Sequence, residues 1–266
     1  MPRFAFLLEP LGSETRRTMT SFAAELVGTA ILILLGNGVV ANVLLRETKG
    51  HAGGWIVITF GWGMAVFVAV FAVALYSGAH INPAVTIGLA ASGQFEWAEV
   101  PWYLVAQFLG GALGAALVWL HYRPHFAATA DPDAKLACFC TGPAIRSPID
   151  NFISETLATF LLVFAVLFLA KPEVGLGALD ALPVGLLVLV LGLSLGGTTG
   201  YAINPARDFA PRLMHMLLPI GGGKRDSDWG YAWIPVVGPI VGALLAAMAF
   251  HALGWGLPVE STLSVK

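Results

Sequence analysis

The chain has 266 residues, of which 57% are apolar and only 11% charged, far below the roughly 25% charged content of soluble domains. This composition excludes an ordinary water-soluble fold and indicates an integral membrane protein, while a formal net charge of −2 argues against a nucleic-acid partner. Cys138 and Cys140 flank a single residue in a polar connection; that spacing is awkward for a mutual disulfide, and two thiols alone define no metal site, so neither metal nor cofactor is expected.

In chain order, the first 19 residues carry Arg3, Glu9, Glu14, Arg16 and Arg17 and do not read as a cleavable signal peptide. A first apolar span covers about 20–45, interrupted only by Glu25. A charge-free block then runs from 50 to 95. It is too long for one crossing of about 20 residues, yet after a second span at 54–76 its remainder is too short for another. Ser77-Gly78-Ala79-His80-Ile81 should break the helix, Asn82 should cap a new one and Pro83 suits its first position. That helix has room for two or three turns before Ser92-Gly93 ends it, which reaches roughly halfway across a bilayer. The third span is placed at 98–121, followed by a polar connection over 122–150. The fourth, at 151–170, is again interrupted by one acid, Glu155, and the fifth lies at 180–198. Gly196 to Gly200 loosens the chain, Asn204 caps, and Pro205 starts a short helix to about Met214; the sixth span is placed at 231–255.

The chain is therefore read as one domain over 1–266 built from a first repeat, 18–121, and a second, 151–256. At an offset of 130, Phe22, Glu25 and Thr29 fall on Phe152, Glu155 and Thr159. At 122, Ser77, Gly78, Ile81, Asn82, Pro83 and Ala84 fall on Thr199, Gly200, Ile203, Asn204, Pro205 and Ala206, and at 131, Trp102, Gly111, Ala112 and Leu113 fall on Trp233, Gly242, Ala243 and Leu244. Three spans per repeat is odd, so the second repeat enters from the opposite side, and the two interrupted segments meet near the midplane. Irregular backbone is tolerated at that depth only inside protein or along a watery cavity. Gly28, Gly36, Gly38, Gly110, Gly111, Gly114, Gly238 and Gly242 read as small-residue faces for close helix packing. Each Asn side-chain oxygen is expected to cap its half-helix, leaving the amide N–H groups as donors into a lumen made electropositive by two helix N-termini.

These residues resemble a known family. Ser77-Gly78-Ala79-His80-Ile81-Asn82-Pro83-Ala84-Val85-Thr86 and Gly200-Tyr201-Ala202-Ile203-Asn204-Pro205-Ala206-Arg207-Asp208 look like the signature loops of the major intrinsic proteins, the aquaporins and glycerol facilitators. The resemblance covers about Phe22 to Gly254. It implies an all-α membrane protein of six transmembrane helices plus two re-entrant half-helices in an inverted internal repeat, each protomer of a homotetramer holding its own pore. It also implies a constriction of four positions, which fall here on Trp62, Gly192, Tyr201 and Arg207. Water-selective members carry Phe and His at the first two. Trp with Gly is expected to leave room for a wider solute, with Trp62 and Tyr201 forming an apolar corner and Arg207 donating to hydroxyls. Backbone carbonyls of 77–81 and 199–203 would supply acceptors on the opposite wall. Tyr201 departs from the Phe of well-known glycerol facilitators, while the Arg207-Asp208 pair resembles their branch.

Several single residues have plainer readings. Trp62 alone suits a lipid-facing or interfacial aromatic, and Gly192 alone a packing glycine. Glu25 and Glu155 are open to a proton-relay reading, but by resemblance they support the re-entrant loops, a role also assigned to Asp208. His80 is placed in a vestibule, with a structural hydrogen bond preferred over a pH gate. Five basic residues on the termini side against nine on the other do not follow the positive-inside rule, so cytoplasmic termini in a multi-pass cell-membrane protein come from the resemblance. The expected function is a passive channel for glycerol and similar small neutral solutes, with water. A mainly water-conducting channel and a coupled transporter are the alternatives. An enzyme is not expected, because no nucleophile-base pair or metal cluster lies within the spans.

Overall fold

The computed structural model describes residues 19–169 and 177–254; Arg3, Arg16, Arg17, Lys171 and Lys266 of the charge comparison lie outside them. Among the described residues the regular structure is helical: α1 (Ser21–Leu44), α2 (Trp55–Ser77), α3 (Pro83–Ala91), α4 (Val100–Ala128), α5 (Pro132–Ala137), α6 (Pro148–Phe168), α7 (Leu182–Leu195), α8 (Pro205–Leu217) and α9 (Ile234–Ala252). Five of these, α1, α2, α4, α6 and α9, are long and apolar enough to cross a membrane. The sixth expected crossing, α7, has only 14 residues, about 21 Å at 1.5 Å per residue. A 3-10 turn over Gly177–Ala181 leads into it. It ends at Leu195, three residues before the predicted 198, because Gly196 and Gly197 stop it. Conversely, α4 runs through Arg123 and Pro124 to Ala128. The predicted boundary followed the first charge, whereas the helix continues past it.

Close packing of backbone on backbone joins the helices. A Cβ on Gly110 of α4 would lie 2.3 Å from the Leu26 carbonyl oxygen of α1, and one on Gly114 would lie 2.7 Å from that of Ala30. In the second repeat a Cβ on Gly242 of α9 would lie 2.4 Å from the Thr156 oxygen of α6. Gly63 of α2 and Gly185 of α7 face each other reciprocally, each virtual Cβ 2.8 Å from the other's carbonyl oxygen. These contacts correct the predicted register of the third repeat segment by one residue. Gly110 against Leu26 corresponds to Gly242 against Thr156, and Gly111 against Ala210 of α8 corresponds to Ala243 against Gly88 of α3, so the structural offset is 132. The sequence match at 131 aligned identities, not contacts. Gly38 is a second correction: nothing among the described residues lies within 4 Å of its virtual Cβ, so it packs on none of their helices, unlike the other seven glycines of that group. Leu75, Leu157 and Met248 are among the exposed large apolar residues on the outer faces, as a lipid-embedded surface requires.

The connection between repeats folds over one end of the bundle. Asp131 caps α5 by accepting from the Asp133 and Ala134 amides. Lys135 is fully buried and donates to the Gly221 and Gly223 carbonyls at 2.7 and 2.8 Å, and Asn37 of α1 donates to the Phe139 carbonyl at 3.0 Å. Cys138 and Cys140 are free and buried, and burial pushes both thiols well above their ordinary range.

The glycine contacts yield a paired test. Gly110→Ala is expected to force α4 off the α1 backbone and to lower the thermal midpoint in detergent, at an overpacking cost of about 1–3 kcal/mol. Gly38→Ala should leave the midpoint unchanged or raise it slightly.

Candidate functional site

The two Asn-Pro-Ala segments start α3 and α8 as the sequence predicts, and their ends meet. Asn82 Oδ1 accepts from the Ala84 amide at 2.9 Å, and Asn204 Oδ1 from the Ala206 and Arg207 amides at 3.0 and 3.2 Å. Pro83 and Pro205 sit in the first turn, where no intrahelical N–H is lost, and Ala84 and Ala206 are fully buried beside them. The amide N–H groups are not all free, however. Asn82 Nδ2 donates to the Ile203 carbonyl at 2.8 Å and Asn204 Nδ2 donates to that of Ile81 at 2.9 Å. Each primary amide has two donors, so one per Asn ties the opposite loop and one remains for the lumen.

The loops ahead of the caps are strained in matched places. Ala79, Ile81, Tyr201 and Ile203 all have positive φ, at 52, 44, 39 and 46°. This left-handed region costs non-glycine residues about 1–2 kcal/mol each and is a rare place for a β-branched Ile. Two buried carboxylates hold it. Glu25 accepts from Ser77 Oγ at 2.6 Å, the His80 amide at 2.9 Å, the Ile81 amide at 2.7 Å and Gln107 Nε2 at 2.8 Å. Glu155 accepts from Thr199 Oγ1 at 2.6 Å and from the Ala202 and Ile203 amides at 2.9 Å each. Hydrogen bonds to a charged group contribute about 1.5–3 kcal/mol each, enough to outweigh the strain. With every carboxylate oxygen engaged, the glutamates are built into the loops.

A lumen lies beside these loops. Its lining combines the apolar side chains of Leu32, Val66, Val70, Val85, Leu162 and Val188 with the loop residues Gly78 to Asn82 and Tyr201 to Asn204. Trp62, Tyr201 and Arg207 also line it, but Gly192 does not. Trp62 is 4% exposed, which removes the lipid-facing reading. It packs on Gly36 of α1, and the Arg207 guanidinium carbon stands 4.1 Å from its ring centroid, a cation–π contact. Arg207 Nη1 and Tyr201 Oη are buried without a hydrogen-bond partner among the described residues.

Gly192 acts differently from the expectation. A Cβ there would lie 2.6 Å from Tyr201 Cζ, 2.7 Å from its Oη and 2.9 Å from Thr59 Cγ2, and one on Gly196 would lie 2.5 Å from Tyr201 Cδ1. The Tyr201 ring thus lies lengthwise across two glycines one helical turn apart. Trp55 braces it edge-on at 6.0 Å and donates Nε1 to the Gly192 carbonyl at 3.0 Å. The missing side chain leaves no gap in the wall; it is a seat for the tyrosine. Spacing within α7 could have suggested such a groove, but nothing in the sequence identifies its occupant.

Asp208 does not reach the re-entrant loop through its carboxylate. It accepts from the Thr141 amide and hydroxyl at 2.7 and 2.6 Å and pairs with Arg212 at 2.8 Å, both side chains fully buried. Arg212 also donates to the carbonyls of Thr141, Ser227 and Asp228. This clasp, which sequence reasoning missed apart from the Arg-Asp pair itself, binds the connection to α8. His80 lines the lumen beside the first cap and bonds Thr86 Oγ1 through Nδ1 at 3.1 Å.

Two half-helices tied tip to tip inside a duplicated bundle, around an amphipathic lumen, define a channel-type membrane protein with an aquaporin-like fold. The sequence model described as Major intrinsic protein matches residues 13–250, and the chain belongs to that family. It is 57% identical over 235 residues to a protein of Thermotoga maritima named a probable glycerol uptake facilitator protein, covering 88% of this chain and 100% of that one. It is 54% identical over 232 residues to the glycerol uptake facilitator protein of Streptococcus pneumoniae strain R6, covering 87% and 98%. Among solved structures, the aquaglyceroporin from Plasmodium falciparum superposes with a TM-score of 0.76 at 31% identity, over 86% of this chain and 94% of that one.

Replacing a clamp oxygen by an amide tests the loop support. Glu155→Gln places an NH2 donor against at least one of the donors it now accepts from, and is expected to destabilise the second loop by about 1–3 kcal/mol. A lowered thermal midpoint with loss of solute flux in proteoliposomes is the expected result; Glu155→Asp should keep more of both.

Proposed function

We propose that this protein is a passive channel for glycerol and similar small uncharged solutes, with water as a co-permeant, that excludes ions and protons. We place it in the cell membrane as a homotetramer with both termini cytoplasmic and one lumen per protomer. The observation that carries the reading is the mixed lining of the lumen: apolar side chains such as Leu32, Val66, Val70, Val85 and Val188 share it with both Asn caps, with loop residues 78–81 and 201–203, and with Trp62 and Arg207. Glycerol has the same two kinds of surface, a CH edge and a row of hydroxyls. Its carbons pass along the valines and the indole while its hydroxyls exchange water for lumen donors and acceptors in turn, so desolvation is offset stepwise. The names of the relatives support the same solute.

Exclusion follows from charge and donor direction. Arg207 and two helix N-termini place positive charge along the lumen, which repels cations. Asn82 and Asn204 each donate to the midpoint of a water file, and a file donated to from its centre cannot pass a proton through. Trp62, Gly192, Tyr201 and Arg207 are assigned to the selectivity ring, with Gly192 acting through the tyrosine. Asn82, Pro83, Ala84, Asn204, Pro205 and Ala206 form the two donor caps, Glu25 and Glu155 support the loops, and Asp208 supports the connection. No catalytic role is assigned to any residue.

Stopped-flow light scattering on proteoliposomes tests this reading. Rapid, non-saturating glycerol and water flux independent of ion gradients is expected; saturable flux that needs an ion gradient would indicate a coupled carrier. Gly192→Ala should push the Tyr201 ring into the lumen and cut glycerol permeability by about tenfold, equivalent to about 1.4 kcal/mol of barrier. Adding Tyr201→Ala should restore it.

A further inference from the structure

At the lumen end opposite the Arg207 ring, the structure fixes one imidazole more tightly than a vestibule residue requires. The His80 ring is held between Phe95 at 4.6 Å and Tyr103 at 4.9 Å, and those two rings touch each other at 4.7 Å. Tyr103 is itself tied to the Ser77 carbonyl at 2.8 Å, and the His80 amide to Glu25. Ring position is thereby set, leaving the proton.

Thr86 Oγ1 lies within hydrogen-bond distance of three groups: the Asn82 carbonyl at 3.1 Å, Gln107 Nε2 at 3.0 Å and His80 Nδ1 at 3.1 Å. A hydroxyl has one proton and two lone pairs. Its proton is directed to the Asn82 carbonyl one helical turn back, and Gln107 Nε2 can only donate. The remaining lone pair therefore receives Nδ1–H. A neutral imidazole protonated on Nδ1 is bare on Nε2, and Nε2 makes no hydrogen bond among the described residues while its residue lines the lumen.

We propose that His80 Nε2 is a fixed hydrogen-bond acceptor, held in that tautomer by Thr86, and forms a solute-binding station for O–H and N–H donors, polyols and amides, at this end of the lumen. The assignment rests on the channel reading given above. Its chemistry complements the other end. Arg207, Trp62 and the free N–H of each Asn are donors only, so this side-chain lone pair is of the opposite kind. The second repeat has no equivalent: by the offset of 122, Ala202 replaces His80 and Asp208 replaces Thr86. A polyol would thus meet acceptor chemistry at one end and donor chemistry at the other.

The test uses the full-length protein in lipid nanodiscs at neutral pH, with histidine labelled at both ring nitrogens. Long-range proton–nitrogen correlation assigns the tautomer, and His80→Asn identifies its signals among the six histidines. The expected spectrum has Nδ1 protonated and Nε2 bare, with the Nε2 resonance moving upfield on glycerol addition and unmoved by sucrose. In Thr86→Val the tautomer should become mixed and the glycerol response shrink, with glycerol permeability lowered a fewfold and water permeability kept. An Nε2–H tautomer in the wild type, or a bare Nε2 that ignores saturating glycerol, would overturn the station. Wild-type proteoliposomes that pass no glycerol would instead overturn the channel reading, whatever the tautomer.

Discussion

Two buried carboxylates and two strained loops satisfy one another, and the rest of the structure depends on that exchange. An ionised glutamate at membrane depth is expensive unless hydrogen-bonded, and so is a non-helical backbone whose N–H groups face no water. Glu25 takes the amides of His80 and Ile81, and Glu155 those of Ala202 and Ile203. Neither half of the bargain stands alone. With the amides turned toward the glutamates, the carbonyls of Gly78 to His80 and of Gly200 to Ala202 accept nothing from the described residues and stay available to the lumen. The left-handed residues at Ala79, Ile81, Tyr201 and Ile203 are the conformational cost of separating donors from acceptors in this way.

The repeat is symmetric where it builds the frame and asymmetric where it meets solute. The reciprocal bonds from Asn82 to the Ile203 carbonyl and from Asn204 to the Ile81 carbonyl tie the halves at their shared point, and neither can shift without breaking the other's tie. One residue beyond the matched alanines the copies diverge. Val85 faces Arg207 in the alignment and Thr86 faces Asp208. The charged copy needs a neutralising shell, which Arg212, Thr141 and the carbonyls of Ser227 and Asp228 provide. The neutral copy closes with Thr86, Gln107 and His80. Duplication supplied the scaffold, and divergence at a few positions gave the lumen two unlike ends.

Much of this was legible in the sequence because it depends on local chemistry. Composition gave the spans, Asn-Pro gave both caps, and the lone acids Glu25 and Glu155 stood out in apolar helices. What was illegible depends on distance across the fold. One N–H of each Asn goes to a carbonyl more than 120 residues away, a partner that no local pattern identifies. The register of the third segments was off by one because identical side chains need not occupy equivalent contacts when glycine packing decides the interface. Gly38 looked like Gly36 in sequence, yet only Gly36 faces a ring; the two are about 200° apart on a helix.

Gly192 shows most clearly why a residue's absence cannot be read as space. Deleting a side chain from a packed wall leaves a void only if no neighbour can enter it, and protein interiors rarely keep such voids. Tyr201 sits on a loop whose backbone is already held by Glu155, and its ring is long enough to span from Gly196 to Gly192. The glycine therefore withdraws an aromatic ring from the lumen into the helix groove, where Trp55 holds it edge-on. If Trp62, Gly192, Tyr201 and Arg207 form the selectivity ring as proposed, its width is set jointly by α7, by the loop and by α2, through how deeply the tyrosine seats and not by the glycine alone. The same logic explains why Arg207 stacks on Trp62 instead of filling the lumen: the indole is itself seated on Gly36. Trp62 and Tyr201 are thus each seated on glycines behind them, Gly36 for the indole and Gly192 with Gly196 for the tyrosine, and Arg207 follows the indole.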